Sequence, residues 1–180
     1  MKEISLNILD IAENSVKAGA LLTSIEIEET EKTLCVTITD DGCGMSEETK
    51  KRVIDPFYTT RTTRSVGLGI PLFKMSAEQT GGDFSIESST DEKTHGTKVR
   101  ALYKKDHIDC TPLGDTVATM VTLIQGHPDT DFLFTHRTEK GEARLDTREL
   151  RQVLGDDVPL SVYEVIKWIE EFLKEQYINL

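Results

Sequence analysis

"LDIAENSVKAGA", residues 9–20, is the stretch on which the reading of this chain turns. Between Ile4 and Lys17 the apolar residues Ile4, Ile8, Ile11 and Ala12 recur at helical spacing, and Gly19 stands where a left-handed C-cap is expected. Asp10 and Asn14 therefore lie one turn apart on one helix face, a carboxylate beside an amide. Such a pair alone is more often a solvated polar face than a site. Its meaning depends on what surrounds it in the chain.

Outward from this helix the pattern changes period. "TSIEIEE" (23–29) and "LCVTITD" (34–40) alternate apolar and polar residues around a turn at "TEK", which predicts a hairpin. "DDGCGM" (40–45) follows, and Ser46 with Glu47 and Glu48 opens a short helix reaching about Val53. A loop containing Pro56 runs on to two glycines, and a helix is expected over Ile70–Gln79, ended by Gly81-Gly82. "DFSIESS" and "GTKVRALYK" predict a second strand pair. The order α, ββ, α, loop, α, ββ over residues 1–105 is that of an α+β sandwich with helices on one face of a sheet. Residues 106–180 differ: "TPLGDTVATMVTLIQG" reads as a helix, "DFLFTHR" and "EARLDT" as a hairpin, and "RELRQVLG" and "SVYEVIKWIEEFLKEQY" as two more helices. They are expected to form an appended helix-hairpin-helix subdomain, with Val162, Val165, Ile166, Ile169, Phe172 and Leu173 as a core-facing stripe.

Composition narrows the function classes. At 180 residues and 37% hydrophobic the chain suits one domain, or one domain with a subdomain, and can fold without staples. No apolar run reaches the roughly 18 residues needed to cross a bilayer, and no leader pattern follows Met1, so a cytoplasmic protein without membrane contact is expected. Cys35, Cys43 and Cys110 form no CxxC pair and are expected as free thiols. The formal net charge of −11, with scattered Lys and Arg, argues against nucleic acid as a partner.

Four elements of the first hundred residues have a chemical use. The Asn14 amide oxygen suits a hard cation such as Mg²⁺, and Asp10 can orient a water or take its proton. In "DDGCGM", Asp40 ends a strand where it can accept from an exocyclic amine, while Gly42 and Gly44 let a flat base approach the backbone. "DPFYTTR" and "VGLGIPLFKMSAEQTGG" place a glycine-bearing loop before a helix, so that backbone N–H groups near Gly67 and Gly69 face an anion, with Arg61 and Arg64 able to close over it. The loop lacks the Gly-Lys-Ser/Thr ending of a Walker A motif and has no strand directly before it, which sets aside P-loop and dinucleotide folds.

Taken in order, Asn14 within "LDIAENSVKAGA", "DDGCGM", "DPFYTTR", "GLGI" and Gly96-Thr97 resemble the N, G1, F and G2 boxes and the closing Gly-Thr of the GHKL ATPases: DNA gyrase, Hsp90-type chaperones, histidine kinases and MutL. The resemblance spans residues 4–103 and implies a Bergerat-type α/β sandwich, a mixed sheet covered by helices, binding ATP and Mg²⁺. It implies that Asn14 holds Mg²⁺, that Asp40 contacts the adenine amino group, and that Gly42, Gly44 and the adjoining Met45 line the base pocket. Phe57 would pack at the base of the lid, Gly67, Leu68 and Gly69 would serve the phosphates with Arg61 and Arg64, and Thr97 would lie near the adenine edge.

In the hydrolysing branches the position of Asp10 is usually Glu, the general base; Asp10 keeps the carboxylate on a shorter arm. None of the four histidines falls in an acceptor-like helix, so a stand-alone ATP-binding protein without a dimerisation and phosphoacceptor segment is expected. The chain also resembles small ATP-binding proteins of anaerobic bacteria encoded near hydrogenase or NADH dehydrogenase subunits, which implies a protein partner. The expected function is a slow ATPase or nucleotide-controlled regulator. A protein-serine kinase of the anti-sigma-factor type and a non-catalytic nucleotide sensor are its alternatives. The lid "TTRTTRSVGLG" (59–69) is expected to order more with ATP than with ADP, which hydrogen exchange would read.

Overall fold

The computed structural model describes residues 3–55, 68–155 and 158–180. The chain runs α1 (Ile4–Lys17), β1 (Leu22–Glu29), β2 (Thr33–Asp40), α2 (Glu47–Ile54), α3 (Gly69–Gln79), β3 (Asp83–Ser89), β4 (Gly96–Lys104), α4 (Thr116–Gly126), β5 (Asp131–Arg137), β6 (Glu142–Asp146), α5 (Thr147–Leu154) and α6 (Tyr163–Tyr177). The six strands form one mixed sheet in the order β3-β4-β2-β1-β5-β6, every neighbouring pair antiparallel except β1 and β5. Residues 106–180, set apart in the sequence reading, thus continue the sheet of the first hundred, because Leu22–Glu28 pairs in parallel with Asp131–Arg137.

The alternation read in β1 and β2 sorts the two faces of the sheet. Ile25, Ile27, Val36 and Ile38 are buried under α1, while Glu26, Glu28 and Thr39 point to the open face and are exposed. One helical layer covers the buried face, with α1 against α3 and α4, and α4 against α6. Ile4, Ile8 and Ile11 of α1 join Phe132 and Phe134 of β5 in a single core.

The helix expected from Thr111 begins only at Thr116. The positive φ of Gly114 (82°) excludes helix before Asp115, whose carboxylate caps the helix by accepting from the Ala118 N–H at 2.8 Å. The extended stretch has a use: the Pro112 and Leu113 carbonyls accept the Ile4 and Ser5 N–H groups at 3.0 and 2.7 Å. They satisfy donors at the start of α1 that the N-cap Glu3 side chain leaves open.

On α6, Val165, Ile166, Ile169 and Leu173 are buried; Phe172 is partly buried against the core and stacks on Trp168, ring centroids 4.8 Å apart, while the N-cap Val162 is 36% exposed. Near the helix end the Gln176 amide accepts from the Arg144 N–H (2.9 Å) and donates to the Arg144 carbonyl (3.1 Å), covering the edge strand β6 as a neighbouring peptide would.

Beneath this end a partly buried polar chain, with His136 buried at its centre, ties both halves together. His136 Nε2 lies 3.1 Å from Glu29 Oε2, and its Nδ1 lies 2.9 Å from the Tyr177 hydroxyl, which meets Thr116 Oγ1 at 2.8 Å. Lys105 Nζ donates to Glu29 at 2.6 Å. The contacts are all satisfied with His136 neutral, Nε2–H donating to Glu29 and Nδ1 accepting from Tyr177. Burial holds the His136 pKa below its ordinary 6.5, outweighing the pull of Glu29. A base whose folded pKa is depressed contributes stability that is present above its unfolded pKa and lost as pH falls below it. The urea midpoint is therefore expected to decline as pH drops below about 6.5, and His136→Gln to flatten that decline. An unchanged slope in the variant would assign the acid sensitivity to other groups.

Candidate nucleotide site

The site begins with helix periodicity. Residues 11, 14, 15 and 18 share one face of α1, so Ile11, Asn14, Ser15 and Ala18 look together toward the ends of β2 and β4. Asp40 is the last residue of β2, and the antiparallel register sets Thr97 opposite it. The Asp40 carboxylate is held from two directions: Ser15 Oγ donates to Oδ2 at 2.7 Å, and the Gly42 N–H donates to Oδ1 at 2.9 Å. The loop is also tied to α1 through the Cys43 N–H and the Ala18 carbonyl at 2.9 Å.

Close approach requires a glycine at position 44 and leaves little room at position 69. Gly44 has φ 68°, and a Cβ there would lie 1.8 Å from the Ser89 carbonyl oxygen. A Cβ on Gly69, where α3 opens, would lie 3.1 Å from the Asp10 Cβ. Gly44→Ala is accordingly expected to destabilise the fold by more than about 1 kcal/mol, since it combines φ strain with a backbone clash. Chemical denaturation measures this, and wild-type stability would show that the loop can give way.

The cavity above Asp40 has a volume of about 230 Å³. Ile11, Met45, Val53, Ile70 and Val99 make its apolar walls, and Asn14, Ser15, Lys17, Asp40 and Thr97 supply the polar groups. That is the character of a small-ligand site, an apolar slot with a few fixed polar contacts. Among the described residues the Asn14 amide has no hydrogen-bond partner, which leaves its oxygen available to a ligand. Asp10 is exposed and does not line the cavity. Partial desolvation nevertheless raises its pKa, opposed by Lys17 and aided by Glu13. Glu13 itself is engaged by His127 Nε2 at 2.7 Å.

Of the residues picked out in the sequence, Asn14, Asp40, Gly44, Met45 and Thr97 line the cavity, while Gly42 supports it through Asp40. Gly69 stands beside Asp10 at the start of α3, and Leu68, its N-cap, is half exposed. Phe57, Arg61, Arg64 and Gly67, with most of the lid, lie outside the described residues. Ile11, Ser15 and Lys17 line the cavity too without carrying a motif of their own, although spacing from Asn14 places Ile11 and Ser15 on its face. The unassigned His95 also belongs here, its Nδ1 2.8 Å from the Gly42 carbonyl.

A mixed sheet covered by helices on one face, with an apolar cavity between α1, a glycine loop and α3, defines the Bergerat class of ATPase folds. The model of the histidine kinase-, DNA gyrase B- and HSP90-like ATPase family matches residues 1–107, and the chain belongs to that family. Among curated proteins it is similar to a putative sensor protein of Shewanella frigidimarina, 26% identical over 57% of this chain and 15% of that protein. It is likewise similar to the heme sensor protein HssS of Staphylococcus saprophyticus, 34% identical over 47% of this chain and 18% of that protein. The chain thus spans less than a fifth of the length of these relatives. Among solved structures the MutL ATPase domain of Aquifex aeolicus, complexed with ADP, shares the fold at TM-score 0.53 and 15% identity. That likeness covers 86% of this chain and 69% of the other, so it extends beyond the family match into the second half. No helix among the described residues is long and apolar enough to cross a membrane.

Proposed function

We propose that this chain binds ATP and ADP with Mg²⁺ and uses the nucleotide, by slow hydrolysis or by occupancy alone, to control a partner protein. The observation that carries this reading is the cavity itself: a doubly held Asp40 carboxylate and an Asn14 amide with no partner among the described residues, set among apolar walls. Asp40 offers acceptors to an exocyclic amine, and the walls take the flat base. Asn14 fits the cation because its amide oxygen is a neutral hard donor at the cavity edge; Mg²⁺ bound there would neutralise phosphate charge. Lys17, also at the cavity, and the open first turn of α3 add positive potential for the phosphates. The similarity to sensor proteins supports a regulatory setting.

Isothermal titration of the pure protein with ADP and ATP, in Mg²⁺ and in EDTA, tests this. Binding that weakens in EDTA is expected, and Asn14→Ala should remove the difference between the two conditions. Absence of binding to both nucleotides in Mg²⁺ would sink the proposal.

A further inference from the structure

Behind the cavity, the hydroxyl of Ser88 on β3 joins three groups. The Met45 N–H lies 2.7 Å from Ser88 Oγ, the Gly96 carbonyl oxygen 2.9 Å and Thr97 Oγ1 2.8 Å. Ser88 does not line the cavity, whereas Thr97 and Met45 do. Its hydrogen bonds can be assigned by counting protons. The Met45 amide can only donate, so it takes one lone pair of Ser88. The Gly96 carbonyl can only accept, so it takes the single Ser88 hydrogen. Thr97 is left with one role toward Ser88: its own hydroxyl hydrogen must be given to the remaining lone pair.

We infer that Ser88 is a positioning residue that locks Thr97 as a hydrogen-bond acceptor toward the cavity, and so sets the site's preference for a base bearing an amine over one bearing a carbonyl. The inference rests on the nucleotide reading above. With the Thr97 hydrogen turned away, Thr97 presents lone pairs beside the Asp40 carboxylate, which is also an acceptor. Two convergent acceptors suit N–H donors and repel a carbonyl oxygen. The rear wall is held closely as well. The Gly44 loop lies against the Ser89 carbonyl with no room for a Cβ, so the Met45 N–H is fixed where it meets Ser88. The serine acts only through the direction of another hydroxyl, so its effect is on selectivity rather than on binding as such.

The probe pair is ADP and IDP: the adenine amine carries two N–H donors, one for each acceptor, whereas hypoxanthine offers a single ring N–H and leaves the other acceptor facing its carbonyl. Titration of wild type should show preference for ADP. Ser88→Ala frees the Thr97 hydroxyl to turn and donate to the carbonyl, and the ADP-to-IDP affinity ratio is expected to fall about tenfold, the scale of one hydrogen bond gained or lost. Ser88→Thr keeps the hydroxyl and should keep the ratio. Thr97→Val should itself lower the ratio, and adding Ser88→Ala to it should change nothing further, because the two act as one unit. An unchanged ratio in Ser88→Ala overturns the inference, as does a Ser88→Ala effect that persists in the Thr97→Val background. Should Ser88→Ala fail to fold, Thr97→Val still decides: an unaltered ratio there also overturns it. Wild type that binds neither nucleotide fails the nucleotide reading itself, a result distinct from binding ADP with a ratio insensitive to Ser88.

Discussion

Asp10→Asn is expected to lower ATP turnover by about 100-fold or more while leaving nucleotide affinity essentially intact, the pattern of a lost general base. The geometry supports this separation. Asp10 lies outside the cavity lining but stands beside Gly69 at the start of α3, one helical turn before Asn14. Asparagine keeps its shape and its packing against α3, and removes only the proton acceptor. Desolvation raises the Asp10 pKa, so the acid limb of turnover should lie above the ordinary carboxylate value of 3.8. Below that limb the carboxyl is protonated and the base is lost; the Asn variant should show no such limb. Asp10→Glu lengthens the arm by one methylene and is expected to raise a slow rate. Equal turnover by wild type and Asp10→Asn, measured by phosphate release, would leave Asp10 outside the chemistry and favour nucleotide sensing or transfer to a partner.

Asp40→Ala is expected to weaken ADP binding by about 2 kcal/mol, roughly 30-fold, the scale for a hydrogen bond to a charged acceptor. The variant removes the group that would receive the base amine. It also strands the Ser15 hydroxyl and the Gly42 N–H that now converge on the carboxylate. Some thermal stability should therefore be lost together with affinity, and the melting temperature of the unliganded protein measures that share. Asp40→Asn separates the two: its amide oxygen can still accept from Gly42 or Ser15, but its NH₂ faces a ligand amine as a donor. It should preserve more stability than alanine and still bind ADP poorly. Wild-type affinity in both variants would show that Asp40 only organises the loop.

Much of the site was legible because its parts are local. Asp10 and Asn14 share a helix face by period, "DDGCGM" places a carboxylate at a strand end before two glycines, and Ser46 announces α2, where its hydroxyl accepts from the Thr49 N–H at 3.2 Å. Helical period puts Ser15 on the face of Asn14, but a serine inside a helix does not by itself announce a partner. Only the approach of β2 turns it toward Asp40, and only the pairing of β3 with β4 brings Ser88 behind Thr97.

The sequence by itself determined the element types, the family boxes and the two faces of the first hairpin, all of which follow from side-chain period and from Gly, Pro, Ser and Asp at chain turns. The tertiary structure decided how the halves combine. No local pattern states that β5 lies parallel to β1, that the Pro112 and Leu113 carbonyls cap α1, or that His136 meets Glu29 across that strand pair. The physical reason is one of range. Period and capping act within a few residues of the chain, whereas strand order and buried polar pairing are chosen by which distant surfaces exclude water together and leave no donor or acceptor unpaired.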